Sequence, residues 1–429
     1  MSNNAIFNYH KLTAKSLFVI ILLWCYSVQA QNNQSEEIKN QHLTSFSAGD
    51  WFKAVTLPEN LQIQGFASQA LILTSDNDVF GNTDNKGSFG FTEVGLNALY
   101  RMLPRLQLSA QVLSRRAGEG NTGSPRLDFG FADYRLYSHE TNQFGIRIGR
   151  LKNPLGFYND TRDVAFTRPS ILLPQSIYFD RTRNLALSSD TIQFYSESSH
   201  HKLGSVSVQF GIGLPVVNDR DTSTSLLVSP QAGNLTREVS YIGRGIYESN
   251  DKRFRLAVSG TWLNIGYNPA VNDRLGQGQI QFSPIFFSAQ YNAEKWSLTS
   301  EYALRHFKYS NFNNPGFDSL DFYGESYYFQ GVYRFTPQWE AILRYDVLYT
   351  DRSDRSGKAS AAASGRPAHS RFAKDITAGL RWNITPSFML RAEYHRVNGT
   401  AWLSTLDNPN AANTSQHWNL YAVQASYRF

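Results

Sequence analysis

The last nine residues, "YAVQASYRF" (421–429), decide how the rest of the chain is read. In steps of two, Tyr421, Val423, Ala425, Tyr427 and Phe429 fall on one face and Ala422, Gln424, Ser426 and Arg428 on the other. A period of two with one apolar face marks a strand whose greasy side is covered. In a sandwich that side meets a second sheet, and in a barrel embedded in a membrane it meets lipid. The period leaves both open.

The other end of the chain separates them. "KLTAKSLFVIILLWCYSVQA" (11–30) places Lys11 and Lys15 ahead of an apolar run from Leu17 to Cys25 and closes on Val28-Gln29-Ala30. This layout predicts a cleaved secretory signal peptide over 1–30. The single cysteine, Cys25, leaves with it, so the exported chain is expected to carry neither a disulfide nor thiol chemistry. Residues 31–60 are polar and lack heptads, and read as a short periplasmic arm.

Beyond the leader, no apolar run approaches the roughly eighteen residues that a spanning helix needs. Hydrophobic residues make up only 41% of the chain, while aromatics reach 14% with 23 Tyr and 29 Phe, a mixture suited to strands apolar on one side. Loss of Lys11 and Lys15 with the leader would take the formal charge from +6 to a mild +4, and the remaining basic residues are scattered along an exported chain, which argues against nucleic acid as a partner.

From Leu61 onward, segments of strand character fall near 61–73, 88–101, 105–115, 126–137, 141–152, 189–198, 202–213, 235–248, 252–266, 276–291, 295–309, 320–334, 338–350, 372–384, 387–398 and 415–429. These sixteen satisfy the even count of a closed bacterial barrel with both termini on the periplasmic side. Tight connections such as 102–104, 138–140, 336–338 and 385–387 alternate with long polar ones, among them "RRAGEGNTGSP" (115–125) and 351–371. The expected fold is therefore all-β: a transmembrane antiparallel barrel of sixteen strands over 61–429.

The faces agree in the clearest strands. In "WEAILRYDVLY" (339–349) and "ITAGLRWNI" (376–384), Trp339, Leu343, Tyr345, Ile376, Leu380 and Trp382 would face lipid, with Glu340, Arg344 and Arg381 inside. An ionised side chain on the lipid face costs about 2–4 kcal/mol at the midplane. In "LDFGFADYRLY" (127–137) neither parity is cleanly apolar, and its register stays open.

The longest unusual connection runs from Gly149 to Ser189 and contains "SILLPQSIYF" (170–179), too apolar for a loop facing only solvent. It also carries Asp160, Arg162, Asp163, Arg168, Asp180, Arg181 and Arg183. These, with Arg147, Glu340, Arg344, Arg381 and Arg391 on the walls, are the expected constriction or pore-lining residues. An excess of inward arginine in a narrow channel would draw anions, whereas cross-strand pairing would merely stabilise the wall.

Catalytic readings fare worse. No G-x-S-x-G, H-E-x-x-H or P-loop pattern is present, and Glu393 and His395, two apart on one strand, point the same way without forming a base and its orienting group. "NTDNKGSFGFTE" (82–93) echoes a calcium loop through Asn82, Asp84, Gly87 and Glu93, but Lys86 stands where an oxygen ligand belongs. No enzymatic activity, cofactor or metal is expected.

The leader, the sixteen strands, "GRLKNPLGFYNDTRD" (149–163) and the terminal "YRF" together resemble the Gram-negative outer-membrane porins, most of all those that take up anions or organic acids. The resemblance implies a diffusion channel in the cell outer membrane whose third outer loop folds inward as a constriction. It further implies small hydrophilic solutes, outer-membrane lipid and lipopolysaccharide, and the barrel-assembly machinery as partners, and a homotrimeric state. The other class compatible with the residues is an occluded barrel acting through long surface loops as an adhesin, receptor or assembly partner.

Overall fold

In the computed structural model, residues 58–217, 219–227 and 232–429 are described. The expected leader, and all but the last residues of the expected arm, lie outside them. The chain forms β1 (Leu61–Thr74), β2 (Ser88–Leu103), β3 (Leu106–Ala117), β4 (Asn121–Ser138), β5 (Asn142–Lys152), β6 (Ser188–His200), β7 (Gly204–Pro215), β8 (Asn234–Arg237) and β9 (Ser240–Glu248). It continues with β10 (Phe254–Asn268), β11 (Gly278–Asn292), β12 (Trp296–Ser310), β13 (Asp321–Arg334), β14 (Trp339–Tyr349), β15 (Phe372–Asn383), β16 (Phe388–Gly399) and β17 (His417–Arg428).

Segments β8 and β9 both pair with β10 and are one wall strand interrupted by a bulge: 238–240 stand against Leu263 and Asn264. The wall therefore has sixteen strands, all antiparallel to their neighbours. The ring closes where β1 meets β17, with Phe66 opposite Arg428 and Thr74 opposite Leu420. The terminal residue completes the seam, since Gly65 N donates to Phe429 O at 3.1 Å and Phe429 N to Gly65 O at 3.0 Å. The Phe429 ring lies across Gly65 so closely that a Cβ there would meet it, which is why this strand position tolerates glycine. Closure leaves the wall no unpaired strand edge.

The alternation decides what faces outward. Val423, Leu343, Ile376, Leu298, Phe287, Val208 and Leu96 are exposed, while their neighbours Gln424, Arg344, Thr377 and Ser288 are buried inside. Trp339 and Trp382 stack at 5.1 Å near the short turns. An apolar belt flanked by such aromatics suits a lipid-facing wall. Among the described residues no helix is long and apolar enough to cross a membrane.

Two expectations change. The connection read as long over 115–125 is short, because β3 and β4 extend toward each other and only Gly118, Glu119 and Gly120 link them. Irregularities in the β3–β4 register, with Gly123 at φ 93, absorb the turn-like residues that suggested a loop. The ambiguous segment 127–137 also resolves. Leu127 faces out opposite Val112, a bulge follows, and Phe129, Phe131 and Asp133 then face in opposite Gln111, Ser109 and Gln107. The extra residue switches the face midway, so neither parity could be clean.

Candidate functional site

The segment between β5 and β6 lies inside the barrel and is held to nearly every side of it. Each anchor pairs an inward wall group with a loop group that needs it. On β12, Glu301 is fully buried and takes two hydrogen bonds on each oxygen. Oε1 accepts from Phe157 N at 2.9 Å and Ser288 Oγ at 2.6 Å, and Oε2 from Tyr178 Oη at 2.6 Å and Tyr328 Oη at 2.8 Å. Burial and the Glu301 carboxylate hold the Tyr178 hydroxyl well above its ordinary pKa, so it stays a donor. Gly156, at φ 57, lets the loop backbone approach here; a Cβ would fall 2.7 Å from Glu301 Oε1 and against the Tyr178 hydroxyl.

On the opposite side, Arg168 Nη2 reaches Glu93 Oε2 on β2 at 2.6 Å, and Arg115 on β3 reaches both Glu93 at 3.3 Å and Asp180 at 2.7 Å. Lys152 at the end of β5 contacts Asp163 and, at 2.6 Å, Asp128 of β4. From β14, Arg344 donates to Ser170 Oγ at 2.9 Å and to Leu172 O at 3.1 Å. From β16, Arg391 donates to the carbonyls of Ser170 and Arg168, while Glu393 accepts from Ile171 N and, at 3.3 Å, Leu172 N. Against the expectation that Glu393 and His395 merely share a face, His395 Nε2 lies 3.4 Å from Glu393 Oε2 while its Nδ1 lies 2.8 Å from Asp375 Oδ2.

The loop reaches far down. Its short turn Ala165–Thr167 packs Ala165 and Phe166 on Met389, and the Arg428 guanidinium lies 4.4 Å over the Phe166 ring, close to the C-terminal seam. Higher up, Ile171 and Leu172 join Val79, Phe80, Trp402, Leu403 and Trp418 in an apolar cluster at the long-loop end. A second cluster there gathers Leu185, Leu226, Leu227, Ile265, Tyr309 and Phe312.

The expected pore residues are thus brought into the lumen region, mostly as partners in ion pairs. Asp160 is bound by Arg244, Asp163 by Lys152 and Arg183, Arg168 by Glu93, Asp180 by Arg115, and Glu340 by Arg381 at 3.2 Å. Arg162 donates to Tyr178 O at 2.9 Å and lies 3.6 Å from Asp180. Arg183 also lies 3.6 Å from Asp180. Arg147 stands apart on β5, 2.9 Å from Asp133 and 4.2 Å over the Tyr195 ring. The Arg181 guanidinium lies 5.9 Å from the Phe179 ring centre.

Sequence reasoning missed Glu93, Arg115, Asp128 and Lys152. Glu93 belonged to the calcium-loop echo, yet it is an ion-pair partner of Arg115 and Arg168. Arg115 stood at the junction of the expected strand 105–115 and the expected connection 115–125, and Asp128 in the strand of open register. The available signal was parity, since Arg115 shares the buried face of Gln111 and Leu113 and stands opposite Glu93.

Two cavities remain beside the loop toward the short-turn end. One of ≈ 290 Å³ is bordered by Phe129, Phe131, Arg147, Lys152 and Asp160. The other, of ≈ 180 Å³, lies under Phe166 and Arg168 against β13–β16.

No family model and no curated protein matches the sequence. Solved structures do. OmpT, an outer membrane protein of Vibrio cholerae, folded in vitro, superposes with a TM-score of 0.54 at 12% identity, covering 86% of this chain and 97% of that one. OprB of Pseudomonas putida gives 0.53 at 10% identity, covering 86% and 94%. The outer membrane channel DcaP of Acinetobacter baumannii gives 0.51 at 10% identity, covering 86% and 97%. At such identities the likeness is one of fold, a closed antiparallel barrel of sixteen strands.

Proposed function

We propose that the protein is an outer-membrane diffusion channel for small hydrophilic solutes, with a weak preference for anions or organic acids. The observation that carries this reading is a closed barrel, apolar outside and charged inside, whose longest internal loop is folded into the lumen and tethered around it. A wall built for lipid needs an apolar belt, and a selective pore needs a narrowed, charged lumen. Structural likeness to OmpT, OprB and DcaP supports the same class. The reading includes a cleaved leader, insertion by the barrel-assembly machinery, contact with lipid and lipopolysaccharide, a trimeric state and no catalytic step.

A second reading, an occluded barrel acting through its surface loops, is favoured by the two apolar clusters at the long-loop end. Planar-bilayer recording separates the two. The channel reading expects stepwise conductance and, in asymmetric KCl, an anion-over-cation permeability above unity. A cation-preferring channel removes the selectivity claim, and silence from well-folded protein selects the occluded barrel.

A further inference from the structure

A groove of ≈ 860 Å³ crosses the outer wall from β10 to β15. Its lining follows the register. Leu256, Ala289, Ser300, Phe329, Tyr345 and Ile376 are successive cross-strand partners, one outward row over six strands. Alanine and serine in that row, and Gly331 beside it, leave a depression among exposed side chains such as Leu298 and Phe329. Because barrel strands tilt by about 35–45°, a row perpendicular to them slants through the membrane. This one descends from Ile376, near the long-loop end of β15, to Leu256, near the short turn before β10.

At its upper end the row meets charge. Arg396 on β16, outward and exposed, is the next partner after Ile376, and Lys374 stands two residues from Ile376 on the same face of β15. Neither is ion-paired among the described residues, whereas Glu325, the outward carboxylate on β13, is already held by Arg355 at 2.5 Å and by Tyr302 Oη at 2.9 Å. Diagonal cross-strand neighbours lie about 7–8 Å apart, within reach of long side chains, so Lys374 and Arg396 can hold one anionic group together. We propose that this outer face is a docking site for the phosphorylated glycolipid of the outer leaflet, lipopolysaccharide, with one acyl chain in the groove and one phosphate monoester between Lys374 and Arg396. An apolar groove that ends in two free cations fits an amphiphile whose anionic head lies at the interface and whose chain runs inward. Two uncompensated cations suit a phosphate monoester, with about −1.5 to −2 charges near pH 7, better than a phosphodiester with one. That difference favours the glycolipid over a glycerophospholipid. The assignment rests on the outer-membrane reading and names the residues of its lipid contact.

Native mass spectrometry of the full folded chain in detergent micelles tests it, with bisphosphorylated lipid A as probe and phosphatidylethanolamine and phosphatidylglycerol as comparators. Lipid A should stay bound and the comparators should bind at least about tenfold more weakly, a difference of about 1.4 kcal/mol. Lys374→Gln combined with Arg396→Gln should weaken lipid A by about tenfold or more. Gly331→Leu should weaken it by filling the groove, and a Cβ there meets only Leu298 Cδ2, at an ordinary 3.5 Å, so the strand is not strained. Arg116→Gln removes an exposed outward cation on β3, outside the groove, and should leave binding unchanged. Equal retention of phosphatidylglycerol, full retention of lipid A by the double glutamine variant or by Gly331→Leu, or an equal loss in Arg116→Gln overturns the site. Binding is read without conductance. A silent bilayer with intact, selective lipid A binding defeats the channel reading alone, and a conducting protein without that binding defeats the docking site alone.

Discussion

The four donors around Glu301 leave no room for a neutral substitute. Each carboxylate oxygen accepts two hydrogen bonds, so in Glu301→Gln the amide NH2 must face two donors whichever way the side chain turns. Leaving buried donors unpaired next to a lost charge should cost about 3 kcal/mol. The expected result is a lower temperature for the heat-induced mobility shift on gels, together with noisier single-channel current as the loop loosens. Tyr328→Phe, which removes one donor and leaves the other three, should cost about 1 kcal/mol. Equal effects of the two variants would show that Glu301 is not the organising group.

At the scale of elements, the long-loop end is closed by pieces that meet through carboxylates. The helix Arg220–Leu227 places Asp221 near Gly120 and within 3.1 Å of Ser404 Oγ, while Asp407 accepts from Glu119 N at 2.9 Å. Burial, reinforced by Asp219 and Asp407 and opposed by the Ser404 hydrogen bond and Arg115, pushes the Asp221 carboxyl up to about 7. Burial, with Glu119 and Asp78 adding to it against backbone hydrogen bonds, pushes Asp407 up to about 6. Both values lie above the ordinary 3.8, so the docked arrangement favours the protonated acids. Their contribution is fully present below the ordinary value and is lost as pH rises through about 6 and then about 7. Hydrogen exchange in Arg220–Leu227 should therefore become faster relative to the intrinsic rate at pH 8 than at pH 5. Asp221→Asn should flatten that dependence, and an unchanged profile would remove the carboxylate from the account. The internal loop is the other decisive element. If the barrel folds without 160–180, its conductance should rise, whereas unchanged conductance would mean that the loop does not limit flow.

For the whole molecule, the belt and the lumen predict opposite responses to charge. Leu343, 63% exposed, lies midway along β14 between outward Gly331 and Ala378 in the register. Leu343→Arg should destabilise the barrel by about 2–4 kcal/mol in lipid vesicles, measured by guanidinium unfolding. In detergent the penalty should shrink because micelles adapt around the guanidinium. A variant as stable in lipid as in detergent would place this face away from a bilayer.

Much of this barrel was already determined by the chain. Period two in 421–429 and 339–349, the sixteen strand segments and the apolar run within 149–189 are local patterns, since the pleat sends alternate residues to opposite faces. Where one residue is inserted, as in β4, the pattern breaks and only pairing with β3 restores the face. The partners of the charges were decided by tertiary structure alone. Arg168 finds Glu93, 75 residues away, and Ile171 finds Glu393, 222 residues away, because barrel closure and loop descent bring them together. Composition records an excess of arginine, but whether each guanidinium is cancelled by a carboxylate, turned toward a carbonyl or left beside another arginine depends on register and height, which are properties of the closed wall.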